Sequence, residues 1–175
     1  MKNNLSMAET GRLEIKNTLS QSRILIVFAF VLALSLASAY GKCAQDDTFI
    51  SLRYAQNLWD GHGLVFNPGD RVEGITNLLW TLLSVPAFAL DVDPVLYMIA
   101  MGLLSIGLLF WGTIRLAQEF SISPVWTVWL LAIDSSILLE GMEGLESIFF
   151  SSLICWGVVW AVRAKGGFSW QSLLM

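Results

Sequence analysis

Two short clusters of acidic side chains are the groups in this chain best suited to act on a hydroxyl. Asp46 and Asp47 are adjacent, and Glu143 and Glu146 follow much later. A carboxylate can accept a hydroxyl proton as a general base, while its neighbour orients it or helps to hold a divalent cation. The same residues can also serve as helix caps or solvated loop charges. Spacing alone leaves both interpretations open.

Two further polar side chains lie just after the aspartate pair. Arg53 could pair with a phosphate or extend to lipid headgroups. His62 stands between two glycines and could donate to a phosphate oxygen or form part of a turn. Cys43 and Cys155 are too few and too far apart to predict a disulfide framework or a metal site.

The composition places these groups in a membrane protein. The 175 residues are 55% hydrophobic and 14% charged, against roughly 25% charged residues in soluble domains. Mean hydropathy is +0.65, and the 8 tryptophans suit a chain with interfacial anchors. The net charge of −4 and the lack of a Lys/Arg cluster argue against a nucleic-acid partner.

Apolar runs predict an all-α integral membrane protein, a multi-span helical bundle. Four spans are predicted, near 24–40, 94–115, 124–140 and 147–163. Residues 1–22 are expected to be a cytoplasmic tail. The first run could instead belong to a signal peptide, since Ala37-Ser38-Ala39 resembles a cleavage site, but the long tail and the later spans favour an uncleaved helix.

The apolar segment 75–90 is predicted to be re-entrant or interfacial, because it is short and Pro86 interrupts it. Arg115 and Arg163 then fall on the cytoplasmic side, as the positive-inside rule requires. One long outer loop covers 41–93. A second, short outer loop holds three acidic residues: Glu140, Glu143 and Glu146. Five full spans is the alternative topology.

An amphipathic helix is predicted in the long outer loop, lying along the membrane surface. Asp46 or Asp47 is expected to be its N-cap and Gly61 its C′ residue. Its apolar positions recur at helical spacing: Phe49, Leu52, Ala55, Leu58 and Trp59. Its polar face is expected to hold Arg53, Gln56, Asn57 and Asp60. Asn67-Pro68-Gly69-Asp70 predicts a tight turn with positive φ at Gly69.

The run from Asp46 to Trp80, DDTFISLRYAQNLWDGHGLVFNPGDRVEGITNLLW, resembles the first outer loop of bacterial GT-C glycosyltransferases. It is most similar to the subgroup that includes the terminal arabinofuranosyltransferases of mycobacterial cell walls. The later GMEGLESIFF resembles that family's second outer motif, a small-Gly-Leu-Glu segment that opens the next helix. The resemblance covers residues 23–167, a GT-C-like transmembrane module, and 168–175 then begins another apolar segment.

The resemblance implies a multi-pass enzyme of the bacterial inner membrane with an extracytoplasmic active site. It would transfer a sugar from a polyprenyl-phosphate donor to a hydroxyl of a glycan or another acceptor. The family's acidic pair matches Asp46 and Asp47, one of which would be the base, and its second-loop acid matches Glu146. Donor-phosphate roles for Arg53 and His62 are inferred from charge and position. A divalent cation, held by Asp46 and Asp47, is the one cofactor to consider, although one acidic pair supplies few ligands.

Family members are typically several times longer than this chain. The chain is therefore expected to be an N-terminal piece that is inactive by itself. One alternative is a non-catalytic membrane scaffold or partner subunit with the same fold. Another is a transporter or lipid-binding protein in which Asp134 is an intramembrane polar site.

Overall fold

The computed structural model describes residues 44–70 and 74–164, which form six α-helices and no strand. The helices are α1 (Asp46–Trp59), α2 (Leu78–Ala89), α3 (Pro94–Glu119), α4 (Pro124–Ile133), α5 (Ser135–Met142) and α6 (Ser147–Ala164). The all-helical prediction is confirmed for this part of the chain. The predictions for 1–22, 24–40 and 168–175 lie outside the described residues.

Two of the described helices are long and apolar enough to cross a membrane. They are α3, with 26 residues, and α6, with 18, and each begins where a span is predicted to begin. The bent pair α4 and α5 would add a third if it is one span. The 12 residues of α2 rise only about 18 Å, against a hydrocarbon core of about 30 Å. That length fits the predicted interfacial helix better than a fifth span.

The predicted span near 124–140 is broken at Asp134. α4 ends at Ile133, α5 begins at Ser135, and the two axes differ by 64°. Asp134 Oδ1 accepts a hydrogen bond from Ser136 N at 3.0 Å, which makes Asp134 the N-cap of α5. Its side chain is therefore occupied in starting a helix, which accounts for a polar residue in this apolar run without a transport role.

α5 extends into the segment that the sequence predicts to be a loop. Glu140 lies within α5, so the connection to α6 is only Glu143–Glu146. The backbones of α3 and α5 are in close contact at Gly102 and Gly141. A Cβ built on Gly102 would lie 1.8 Å from the carbonyl oxygen of Gly141. Only glycine at position 102 allows this approach, which fixes the end of α5 and the turn that follows it.

α3 and α6 run parallel and share the longest interface between any two described helices. Gly144, just before α6, lies against Met98 near the start of α3. At the opposite end, Arg163 Nε donates to Glu119 Oε1 at 2.6 Å, and Arg115 stands one turn before Glu119. Arg115 and Arg163 therefore both lie at the end of the bundle away from the α5–α6 turn, whereas Arg53 lies on α1.

Two apolar clusters form the core. The larger lies among α3, α4, α5 and α6 and includes Ile106, Phe110, Val128, Leu138 and Ile148. The smaller is formed by Leu52, Trp80 and Met98. Because those three residues come from α1, α2 and α3, the smaller cluster fixes the polar segment of the chain to the start of α3.

α1 buries a different face from the predicted one. Leu52 and Ala55 are buried as expected, but Phe49 and Trp59 are 50% and 53% exposed. Three polar side chains are buried instead: Thr48, Ser51 and Asn57. Asn57 Nδ2, for example, donates to two backbone carbonyls in the loop after α1, both at 2.8 Å. Because such groups are satisfied by hydrogen bonds, the buried face of α1 need not be apolar.

Candidate functional site

α1 begins at Asp46, so both aspartates lie in its first turn rather than at its cap. The N-cap residue is Gln45, whose side chain makes no capping hydrogen bond. The predicted cap at Asp46 or Asp47 is wrong because Gln45 N donates to the carbonyl oxygen of Glu143 at 3.2 Å, which fixes the helix start one residue earlier. Both carboxylates still lie at the positive end of the helix dipole, where negative charge is stabilised.

A polar cavity of about 290 Å³, here named the acid cavity, lies where three helices begin. Its lining comes from Asp47, Ile50 and Ser51 of α1, from residues 74–77 before α2, and from residues 145–147 at the start of α6. Asp47 and Glu146 therefore line the same cavity, although they are far apart in sequence. The N-termini of α1, α2 and α6 make its surroundings electropositive.

Only one of the paired aspartates lines the acid cavity. Successive residues of an α-helix are about 100° apart around its axis, so Asp46 and Asp47 face different directions. Asp47 shares a helix face with Ser51, one turn later, and both belong to the lining. Asp46 lies on the exposed face that also holds Arg53.

Asn77 joins the three segments that form the acid cavity. Its Nδ2 donates to Glu146 Oε2 at 2.9 Å and to Ser51 Oγ at 3.0 Å. Its Oδ1 accepts from Thr81 Oγ1 at 3.1 Å. Asn77 occupies the N-cap position of α2 but makes no side-chain capping bond. Its side-chain amide nitrogen instead donates hydrogen bonds to the other two segments. The orientation of Glu146 therefore depends on Asn77.

The turn before Glu146 is held from two sides. Thr48 Oγ1 donates to the carbonyl oxygen of Glu143 at 2.6 Å, and Trp80 Nε1 donates to that of Gly144 at 2.9 Å. Gly144 has φ +79°, and a Cβ built there would lie 2.8 Å from the Thr48 methyl group. A residue with a side chain would be strained here and would push α1 away. The described contacts of Glu143 are made by its backbone.

Arg53 and His62 do not line the acid cavity. Arg53 Nε donates to the carbonyl oxygen of Phe66 at 3.2 Å, which ties α1 to the loop after it. His62 N donates to the carbonyl oxygen of Asn57 at 2.9 Å, and Gly61 N donates to the carbonyl three residues before it at 3.2 Å. These two bonds form a Schellman motif and confirm Gly61 as the C′ residue. His62 contributes its backbone to that turn, and its side chain is exposed.

An apolar groove of about 820 Å³ adjoins the acid cavity. Four residues line both spaces: Thr76, Asn77, Glu146 and Ser147. The rest of the groove is mostly apolar and is formed by Leu78, Leu79, Trp80, Phe149, Phe150, Ser151 and Leu153. A ligand with a polar head and a hydrocarbon tail could therefore occupy the cavity and the groove together.

The described residues give little support to a cation site. Among 44–70 and 74–164, no group of three or more His, Cys, Asp or Glu side chains is placed to hold an ion. Asp46 and Asp47 diverge around the axis of α1 and form no shared site by themselves. Asp47 and Glu146 are the carboxylates that line the acid cavity, and a carboxylate can accept a proton or stabilise positive charge.

Sequence reasoning misses the residues that support the two acids. The sequence pattern includes Asn77 only as part of the predicted re-entrant or interfacial segment 75–90, and it does not single out Ser51. Two signals are present: Ser51 follows Asp47 at i+4, which places both on one helix face, and Asn77 immediately precedes an apolar helix. The second signal predicts a helix cap and does not reveal a link to Glu146.

Comparison of the chain with protein-family models, with curated proteins and with solved structures finds no match. The resemblance to GT-C glycosyltransferases therefore rests on the residues of the two acidic segments themselves. One acid from each of the two segments, Asp47 and Glu146, lines the acid cavity.

Proposed function

We propose that this chain is a membrane glycosyltransferase module. It supplies acidic residues for the transfer of a sugar from a polyprenyl-phosphate donor to an acceptor hydroxyl at the extracytoplasmic face of the bacterial inner membrane. The observation that supports this most strongly is the placement of Asp47 and Glu146 in one polar cavity that opens into an apolar groove. This arrangement suits a substrate with a sugar head and a lipid tail.

Asp47 is the general base of the proposed reaction. Its carboxylate takes the proton of the acceptor hydroxyl as the hydroxyl oxygen forms a bond to the anomeric carbon of the donor sugar. The bond between that carbon and the phosphate oxygen breaks, and its electron pair leaves with the polyprenyl phosphate. A phosphate is a stable leaving group, so this step needs little protonation. Asp46 does not line the acid cavity and is not part of this step.

Glu146 acts by charge in this proposal. Sugar transfer develops positive charge at the anomeric carbon, and a carboxylate held in a fixed position stabilises that charge without reorganising. The hydrogen bond from Asn77 to Glu146 Oε2, at 2.9 Å, provides the fixed position. Glu146 immediately precedes α6, so it lies at the positive end of that helix dipole.

The donor phosphate is proposed to bind where the acid cavity meets the apolar groove. The N-termini of α2 and α6 meet the shared lining there, at Asn77 and Ser147. Backbone N–H groups at helix N-termini favour phosphate, so this position replaces the predicted roles of Arg53 and His62. The lipid tail would then follow the groove past Leu79 into the bilayer.

The neighbouring aspartates supply a matched pair of variants to test this function. Asp47→Asn and Asp46→Asn are introduced into the gene at its own chromosomal position. Membrane vesicles from each strain are supplied with labelled polyprenyl-phosphate arabinofuranose, mannose or glucose, and label in glycan is measured. Asp47→Asn should lower transfer by about 10²- to 10⁴-fold, the contribution of a general base, whereas Asp46→Asn should change it by less than about twofold.

Equal transfer by wild type and Asp47→Asn would contradict the proposal. That result would leave the non-catalytic scaffold as the better account, because a scaffold needs the fold but not the carboxylate. Equal losses from both substitutions would contradict the assignment of the base to Asp47 alone.

A further inference from the structure

A second cavity lies on the other side of Ile50 and Gly74 from the acid cavity. It measures about 310 Å³ and is lined by Ile50, Tyr54, Phe66, Asn67, Asp70 and Gly74. We name it the aromatic cavity. Because Ile50 and Gly74 also line the acid cavity, the two spaces are neighbours that share a wall.

The aromatic cavity lies along the same face of α1 as the proposed base. Asp47, Ile50 and Tyr54 stand at i, i+3 and i+7, which places them in one row on a helix. Seven residues separate Asp47 from Tyr54, which corresponds to about 10 Å along the helix axis. A ligand in the aromatic cavity would therefore extend directly toward Asp47.

The apolar groove reaches the acid cavity from a different direction. The groove shares Thr76, Asn77, Glu146 and Ser147 with the acid cavity, whereas the aromatic cavity shares Ile50 and Gly74. If the donor lies in the groove, the aromatic cavity is a separate space, among the described residues, that can take the second substrate. The two substrates would then meet at Asp47 from different sides.

The lining chemistry suits a sugar ring. The ring of Phe66 is 42% exposed and packs on the buried ring of Tyr54, with the ring centroids 5.9 Å apart and the planes tilted by 54°. Phe66 is therefore the aromatic surface open to a ligand, and it can pack against the apolar C–H face of a sugar. The Asn67 amide and the Asp70 carboxylate accept hydrogen bonds from hydroxyls. Neither makes a side-chain hydrogen bond to another residue in the described ranges 44–70 and 74–164. A few polar groups on an otherwise apolar lining are typical of small-molecule sites.

The turn Asn67-Pro68-Gly69-Asp70 fixes these two polar groups beside the aromatic rings. Asp70 N donates to the carbonyl oxygen of Asn67 at 3.1 Å, and Gly69 has φ +96°, as the sequence predicts for this turn. On the opposite side, Gly74 N donates to the Tyr54 hydroxyl at 3.0 Å. A Cβ on Gly74 would lie 2.7 Å from that hydroxyl. Glycine at this position therefore allows the close contact with Tyr54 in the wall that separates the two cavities.

We infer that the aromatic cavity binds a sugar residue of the acceptor. This rests on the proposed function, because it assigns the second substrate of the same reaction. Every charged side chain in the described linings of the two cavities is acidic: Asp47 and Glu146 in one, Asp70 in the other. The carboxylate oxygens of such linings accept hydrogen bonds from sugar hydroxyls.

The test measures sugar binding without requiring transfer. The chain is purified into lipid nanodiscs and mixed with methyl glycosides, both hexopyranosides and pentofuranosides, and binding is followed by saturation-transfer NMR. At least one glycoside should bind to the wild type. Phe66→Leu should weaken binding by about fivefold through loss of the aromatic face, and Asp70→Asn by about tenfold through loss of a charged acceptor. Phe66→Tyr should retain wild-type binding.

Matched controls come from the same part of the chain. Leu64→Ala and Asp60→Asn change exposed residues outside the lining and should bind like the wild type. Asp47→Asn should also bind the glycoside, because the base lies in the neighbouring cavity. Binding by none of the glycosides, or equal binding by Phe66→Leu, Asp70→Asn and the controls, would overturn this inference. The proposed function is judged separately by loss of transfer in Asp47→Asn.

Discussion

Asn77 donates a hydrogen bond to Glu146 Oε2 at 2.9 Å and so links two segments that are 69 residues apart in sequence. The same amide nitrogen reaches Ser51 Oγ on α1 at 3.0 Å. One side chain thus connects the helix of the proposed base to the second acid. The geometry of the acid cavity depends on this residue more than on any residue that the sequence pattern singles out.

Replacing Asn77 is expected to lower the rate of sugar transfer. Asn77→Ala removes the partner of Glu146, and a small displacement of a reacting group can cost up to about a hundredfold in kcat. It should also lower the free energy of unfolding by about 1–3 kcal/mol, since several partly buried hydrogen bonds are lost. Transfer in vesicles and thermal unfolding in detergent measure the two effects.

Asn77→Asp distinguishes positioning from packing at this site. It keeps the shape of the side chain but loses the N–H donor, so kcat should fall about as far as in Asn77→Ala. Gln56→Ala, which changes an exposed amide on α1, serves as the control. Wild-type kcat in Asn77→Asp would contradict a positioning role.

The contact between α3 and α5 predicts opposite effects for two glycines on one helix. Gly102→Ala would place a methyl group 1.8 Å from the carbonyl oxygen of Gly141, which forces the helices apart and costs about 1–3 kcal/mol. A Cβ added at Gly107 would have no atom within 4 Å, so Gly107→Ala should stabilise α3 by about 0.5–1 kcal/mol. Thermal unfolding measures both, and a stable Gly102→Ala protein would contradict the described packing.

The apolar groove predicts a change in donor affinity that depends on lipid length. Phe150 lines the groove and is 61% exposed, so Phe150→Ser should raise the donor KM by weakening contact with the lipid tail. The increase should shrink when a short-chain donor replaces the long one. Ile154→Ser on the same helix is the control, since Ile154 is 53% exposed but lies outside the groove lining. Equal KM changes for both variants would argue against lipid in the groove.

The positions of Arg53 and His62 predict that neither residue binds the donor phosphate. Arg53→Gln and His62→Ala should leave the donor KM within about twofold of the wild-type value, because neither side chain lines the acid cavity or the groove. Arg53→Gln should loosen the loop after α1, where Arg53 Nε contacts the carbonyl of Phe66. If either variant raised the donor KM by tenfold or more, this prediction would be wrong and the substituted residue would be assigned to phosphate binding.

Local sequence signals predict the helices and turns well. The starts of α3 and α6, the C′ position of Gly61 and the turn at Gly69 each depend on residues a few positions apart, and each is found where the pattern predicts it. The break at Asp134 is not predicted, because an aspartate inside an apolar run can be a buried polar group or a helix cap, and periodicity does not separate the two.

Long-range contacts account for the features that could not be predicted. The burial of Asn57 and the N-cap at Gln45 depend on partners in a loop and in a distant turn. Which of the two aspartates lines the acid cavity, Asp46 or Asp47, depends on the rotation of α1 about its axis relative to α2 and α6. That rotation is set by how Trp80 and Met98 pack against α1, which a single segment of sequence does not encode.

A double-mutant cycle on Asp47 and Glu146 tests the central claim most directly. Sugar transfer is measured in vesicles for Asp47→Asn, Glu146→Gln and the combined variant. If both carboxylates serve one reaction centre, each single substitution should lower kcat by about 10²-fold or more. The kcat of the combined variant should then be within about tenfold of the kcat of the less active single variant, because the effects of groups that act as a unit are strongly non-additive. Losses that multiply, or a Glu146→Gln enzyme with wild-type kcat, would contradict a shared centre.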